Sequence, residues 1–332
     1  MSPSRPGRRL RRGMIALTAG LALALTGCSS SDSGSDASTD TSAADRTVTD
    51  SVGEVVIPAD AERIVTVHHI ATQPLINLGV VPVGRGKVKE TDVAPETWEK
   101  IKDVPVVSDG ASPNVEQVAQ LQPDLIIAHN RIDEAALNSM REIAPVLVID
   151  IAGPGRADWQ GRVHLVAEAL GKEDVFDDLV AKYDARAEEV ANEHRDVLGR
   201  EKFSLVGSWN PGVFSAYGSQ SHFGSVFAKA GATISPAEEA ATADIPEFEL
   251  ETSTERMPEL LDGTVLLHVT DLRGQPNAQL ATVMAEPIFQ SVPAVQADRV
   301  FPGGKDTVGG FEDANYNLDQ FDQVLTQLES QQ

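Results

Sequence analysis

A rhythm with one interruption constrains this chain most. From residue 46 onward, short apolar runs alternate with amphipathic stretches. Runs such as Leu125-Ile126-Ile127 carry no polar alternation, the pattern of a strand buried on both faces in a parallel sheet covered by helices. Strands are expected at 63–67, 81–84, 104–107, 124–128 and 145–149, with helices at 73–79, 115–121 and 132–143. The stretch 158–196 breaks the rhythm. There Val163, Val166 and Leu170, then Val175, Leu179, Tyr183, Arg186 and Val190, recur at helical spacing without a strand signal, and Gly171 divides the two series. The second piece, about 23 residues, would run roughly 35 Å at about 1.5 Å per residue, enough to bridge two lobes. Alternation then resumes, with strands expected at 203–207, 264–269 and 300–302 and helices at 221–230 and 315–328.

The halves also repeat. Displacing the chain by 139 residues lays Glu116 on Glu255, Val118 on Met257, Leu121 on Leu260, Ile126 on Val265, Ile127 on Leu266 and His129 on His268. Each copy reads acid, amphipathic turn, buried strand, histidine. One copy lies on either side of the helical stretch, which points to two related lobes.

Composition narrows the function. Apolar residues make up 41% and charged residues 23%, a globular balance. Fifty acidic against 27 basic residues, a formal charge of −23, argue against a nucleic-acid partner, which needs a positive face. Cys28 is the only cysteine, so the chain forms no internal disulfide and no thiolate metal cluster. Residues 1–27 hold five Arg (5, 8, 9, 11 and 12), no acid, and an apolar run from Met14 to Gly27, short of the roughly 20 residues of a membrane span. Leu25-Thr26-Gly27-Cys28 resembles the lipobox of bacterial lipoproteins. That resemblance implies a signal peptide over 1–27 and a diacylated Cys28, with membrane lipid as its partner and about 0.8 kcal/mol of membrane affinity per buried methylene. Residues 29–45 are only Ser, Asp, Thr, Ala and Gly, a tether with a mean reach of roughly 23 Å. The folded part is therefore expected at the outer face of the bacterial cytoplasmic membrane, away from ATP and reduced nicotinamide.

Several stretches resemble the class III substrate-binding proteins of ABC importers, the group that serves ferric siderophores, haem and cobalamin. Glu62-Arg63-Ile64-Val65 resembles that group's opening strand, and Leu78-Gly79-Val80-Val81-Pro82-Val83-Gly84 its next segment. Asn114-Val115-Glu116 with Leu121-Gln122-Pro123-Asp124-Leu125-Ile126-Ile127 is similar to a third, and Ser253-Thr254-Glu255-Arg256-Met257-Pro258-Glu259-Leu260 to its second-lobe acidic motif. The resemblance covers roughly 46–330, with 240–250 lacking a clear counterpart. It implies an α/β fold of two Rossmann-like lobes, 46–157 and 199–332, joined by long rigid linker helices over 158–198, with a ligand cleft between the lobes. It implies a binding protein without catalysis or a resident cofactor. The function so implied is capture of an iron(III)–siderophore and its delivery to an ABC permease and its ATPase, by a protein expected to be a monomer. In that family an acid on each lobe pairs with permease arginines, and Glu116 and Glu255 occupy those positions.

In open α/β sheets ligands bind beyond the carboxyl ends of strands. In the first half those ends carry His68 and His69, then Arg85, then His129 and Arg131; in the second they carry Trp209, Tyr217, His268, Arg273 and Lys305. Cations, imidazoles and aromatic rings at these places in an acidic chain suit a bulky anionic chelate, because guanidinium forks onto carboxylate or catecholate oxygens and aromatic rings cover apolar surface. Trp98 and Trp159 fall on helical stretches and read as packing residues. Haem, cobalamin or a bare Zn or Mn ion are the alternative cargoes, although no histidine pair has metal-ligand spacing. An extracytoplasmic hydrolase or an adhesive lipoprotein is less favoured, since neither a GxSxG elbow nor a GxxxxGK[ST] loop occurs.

Overall fold

The structure, a computed structural model, describes residues 44–331, so the segment carrying Cys28 lies outside the described residues. Strands β1 (Arg46–Asp50) and β2 (Gly53–Ile57) form an antiparallel hairpin that the apolar runs did not announce. Asp50 closes it. One carboxylate oxygen accepts from the backbone N–H groups of Val52 and Gly53, and the other accepts from Val148, pinning the hairpin to the lobe behind it.

Five parallel strands follow: β3 (Ile64–Thr66), β4 (Arg85–Gly86), β5 (Val106–Ser108), β6 (Leu125–His129) and β7 (Val146–Ile149). β3, β6 and β7 lie side by side, β4 pairs with β5, and a Val65–Gly84 bridge joins the groups, so the sheet reads β5-β4-β3-β6-β7. Ile64, Leu125, Ile127, Leu147 and Ile149 enter one core layer, and Val65, Ile126, Ala128, Val146 and Val148 enter the other. Both faces are covered, which is why these runs carry no polar residue.

The second lobe holds β8 (Phe203–Gly207), β9 (Val213–Tyr217), β10 (Glu249–Ser253), β11 (Val265–Val269) and β12 (Val300–Gly304), ordered β10-β9-β8-β11-β12. Here β8, β11 and β12 are parallel, while β9 runs antiparallel to both neighbours. Counted within each lobe, both sheets follow the Rossmann order 3-2-1-4-5. The strands β6 and β11, aligned by the 139-residue displacement, hold the fourth place in each.

Two helices carry the chain across. Helix Trp159–Leu170 ends at Gly171, whose left-handed φ of 61° suits glycine, and helix Glu173–Glu193 follows. Val166, Ala167 and Ala169 pack into the first lobe's core, as do Val175 and Phe176 at their periphery. Trp159 and Val163, then Tyr183, Ala187 and Val190, pack into the second lobe's core. Terminal helix Phe311–Ser330 packs along the long helix and grips the first lobe with its first turn. Asn77 Oδ1 accepts from the Phe311 N–H at 2.8 Å, and the Glu312 carboxylate accepts from the Ala94 N–H and the Thr97 hydroxyl. Among the described residues no helix is long and apolar enough to cross a membrane.

Candidate ligand-binding cleft

Strand order places the site. In the first lobe the first and fourth strands are neighbours whose following helices depart to opposite faces, and a crevice opens beyond their carboxyl ends; in the second lobe β8 turns directly into β9. After β3, His68 stands in extended conformation and caps helix His69–Asn77, its Nδ1 accepting from the Ile70 N–H at 3.2 Å. After β6, His129 Nδ1 accepts from the Arg131 N–H at 3.2 Å and Nε2 donates to the Gly110 carbonyl at 2.9 Å. The ring of His68 lies 4.3 Å from that of His69 and 4.9 Å from that of His129. Burial, with His129 and Arg131 nearby, lowers the His68 pKa to about 4. Burial also lowers His129, and it lowers His69 well below its ordinary value, aided by His68 and Lys305. At neutral pH all three imidazoles are uncharged.

Around them opens a chamber of about 440 Å³, lined also by Lys87, Lys89, Asp92, Asp109 and Arg131. The side chains of Lys87, Lys89 and Arg131 make no hydrogen bond or ion pair among the described residues. Gly86 makes this geometry possible: a Cβ there would sit 2.6 Å from the His68 backbone. A second chamber of about 310 Å³ shares His69, Lys89 and Asp92 with the first and continues between the lobes to Trp209, Thr270, Asp271, Lys305 and Asp306. Trp209 is half exposed into it. Lys305 donates to the fully buried Asp313 at 2.7 Å, so its charge is already balanced.

Four strand-end residues stand elsewhere. Arg85 does not line either chamber. It lies inside β4, buried, with Nε donating to the Ile101 carbonyl at 2.8 Å and its guanidinium over the Trp98 ring. Tyr217 is not on a loop but ends β9, fully buried; its hydroxyl donates to Asp306 Oδ2 at 3.3 Å, and the Trp209 indole N–H lies beside it. His268 is buried inside β11, with Nδ1 donating to the Val269 carbonyl. Arg273 reaches across the lips of the cleft to Glu90 at 3.1 Å, beside a Leu272 N–H bond to the Thr91 carbonyl. The residues that replace them, Lys87, Lys89 and Asp92, follow β4 directly. Ending that strand at 84 rather than 86 put Arg85 where Lys87 and Lys89 belong.

Glu116 and Glu255 are both exposed, each in the first turn after a capping side chain: Asn114 accepts from Gln117, and Ser253 accepts from Glu255. Among the described residues Glu193, His194 and Asp322 have metal-like spacing, but His194 is engaged by Asp322 at 2.7 Å and Glu329 at 3.0 Å. Against the opposing effect of burial, these carboxylates raise its pKa, so the group is an ion-paired staple between the linker and the terminal helix.

Comparison with known proteins agrees with this architecture. The chain is 32% identical over 181 residues to the probable siderophore-binding lipoprotein YfiY of Bacillus subtilis, covering 52% of this chain and 53% of that one. It is 25% identical over 228 residues to the Fe(3+)-citrate-binding protein YfmC of the same organism, covering 66% and 70%. The matched segment thus spans about half of the first relative's length and 70% of the second's. The siderophore periplasmic binding protein from the fuscachelin gene cluster of Thermobifida fusca superposes with a TM-score of 0.67 at 28% identity, over 82% of this chain and 98% of that one. Staphylococcus aureus SirA complexed with staphyloferrin B shares the fold, with a TM-score of 0.70 at 20% identity over 84% and 98%. The sequence pattern described as periplasmic binding protein matches residues 64–307, and with two Rossmann-ordered lobes facing one cleft the chain belongs to that family.

Proposed function

We propose that the protein captures an iron(III)–siderophore complex outside the cytoplasmic membrane and hands it to the permease of an ABC importer. The observation that carries the reading is the set of unpaired cations, Lys87, Lys89 and Arg131, around three neutral imidazoles at the switch point of the first lobe. An anionic chelate supplies what these cations lack, and charge-assisted bonds to it are the strong kind. The names of the curated relatives, siderophore-binding and Fe(3+)-citrate-binding, point the same way. A bare metal ion suits the chamber poorly, since both nitrogens of His129 and Nδ1 of His68 are committed to the backbone.

Three further parts complete the proposal. Cys28 is the lipid-anchored residue, and residues 29–45 are the tether. Glu116 and Glu255, each in a capped first turn on its own lobe, give a permease a two-point electrostatic register. Calorimetric titration of the purified protein with ferric dicitrate, a ferric catecholate, ferrioxamine B, haemin, cobalamin and Zn²⁺ tests the reading. Binding of a ferric complex at about micromolar Kd or tighter is expected. Binding of Zn²⁺ alone would sink it.

A further inference from the structure

The two chambers of the cleft differ in charge. The chamber at the first lobe presents Lys87 and Arg131 against Asp109 alone, whose carboxylate accepts from the Ala111 and Ser112 N–H groups and lies within electrostatic reach of Lys87, so the balance there is positive. Lys89 and Asp92 line both chambers and so do not distinguish them. On the second-lobe side the free charge is negative. Asp271 and Asp306 face the chamber, while the one cation peculiar to it, Lys305, is already neutralised by Asp313.

Two features make this acidic half a receptor for a cation. Asp306 is 3% exposed and held in place by donors, the Tyr217 hydroxyl at 3.3 Å and the Thr307 hydroxyl at 2.6 Å, so its carboxylate is fixed before any ligand arrives. Trp209, half exposed, stands over the same space with its indole N–H beside the Tyr217 hydroxyl, and an indole face attracts ammonium and guanidinium groups. Thr270 lines the chamber at 7% exposure, its hydroxyl hydrogen-bonded to that of Tyr316. The Tyr316 hydroxyl in turn donates to the Asp271 carbonyl at 3.3 Å.

We infer that the ligand is charge-split: its iron-chelating head is anionic and seats against Lys87 and Arg131, and it carries a basic arm, an alkylammonium or guanidinium, that seats between Trp209, Asp271, Asp306 and Thr270. The inference rests on the siderophore reading and narrows it. A wholly anionic chelate would leave the second chamber's carboxylates facing a like charge.

The test uses matched pairs that differ only in the arm. One is ferrioxamine B, which ends in a primary ammonium, with its N-acetyl derivative; the other is the ferric complex of 2,3-dihydroxybenzoyl-lysine amide with that of its Nε-acetyl form. Each is titrated calorimetrically into the full chain, with ferric dicitrate as an armless reference. For any head that binds, the ammonium form is expected to bind about tenfold more tightly than the acetylated one, the scale of a partly desolvated cation–π contact with a charged partner. Replacing Trp209→Leu together with Asp271→Asn should remove that preference while changing the affinity for the acetylated form much less. Equal binding within a pair, or binding of ferric dicitrate with neither pair bound, overturns the basic arm and leaves the siderophore reading standing. If no ferric complex binds, the siderophore reading itself falls.

Discussion

Glu238 offers the sharpest physical test of the second lobe. Its side chain is fully buried in helix Pro236–Thr242, where Oε1 accepts from the Leu205 N–H at 2.9 Å and so ties the helix to β8, the strand that leads to Trp209. Burial raises its pKa from 4.5 to about 8, against the opposing bonds from Leu205, Ser204 and Ser235. The native chain therefore keeps this proton up to about pH 8, whereas the unfolded chain gives it up above 4.5. Between those values the folded state binds more protons, so the stabilisation is complete below the unfolded pKa and is lost as pH rises through the folded one. Integrated from about pH 5 to pH 8, the loss from this single group is about 3.5 kcal/mol. Glu238→Gln copies the protonated side chain and cannot titrate. Urea unfolding followed by circular dichroism at those two pH values should show the variant gaining about 3.5 kcal/mol on the parent between them. A parent–variant difference that stays constant within about 1 kcal/mol would refute the reasoning, because it would mean that the native carboxyl ionises like an exposed one.

Three further outcomes follow from the cleft, its surroundings and the exposed acids. Arg131→Gln should weaken ferric dicitrate binding about tenfold without changing stability, because one charge-assisted contact is lost from a side chain that holds nothing else. Arg85→Met should do the reverse, leaving affinity unchanged while costing about 1–3 kcal/mol in urea unfolding by orphaning the Ile101 and Gly86 carbonyls. The combined Glu116→Lys and Glu255→Lys variant should abolish iron uptake in cells while the isolated protein binds its ligand as before; normal uptake would remove the docking assignment.

What could be read in the sequence, and what could not, divides along a physical line. Leu125-Ile126-Ile127 and Val265-Leu266-Leu267 announced central strands because both of their faces are buried, and burial leaves only apolar residues. Strand β10 was silent for the complementary reason. It is an edge strand, and its exposed Glu251 is the kind of charge that edges carry to discourage pairing with other chains, while Glu249 turns inward onto Arg156 at 2.7 Å. Missing β9 and β10 together turned Tyr217 into a loop residue, when the reversed strand buries it beside the Trp209 indole N–H and aims its hydroxyl at Asp306. The strand-end rule named the right crevice, since His68, His69, His129, Arg131, Trp209 and Lys305 all line it. It could not tell a free cation from a neutralised one. Lys305 is spoken for by Asp313 and Arg273 by Glu90 from the other lobe, whereas Lys87, with Asp109 in electrostatic reach, and Arg131 form no ion pair among the described residues. Charge recognition depends on what remains unpaired after folding, and pairing across lobes is set by the sheet order and the two linking helices rather than by any local run of residues. The cleft's division into a cationic and an anionic half is therefore a property of the fold, and a ligand that matched only the composition of the strand ends would match the wrong half of it.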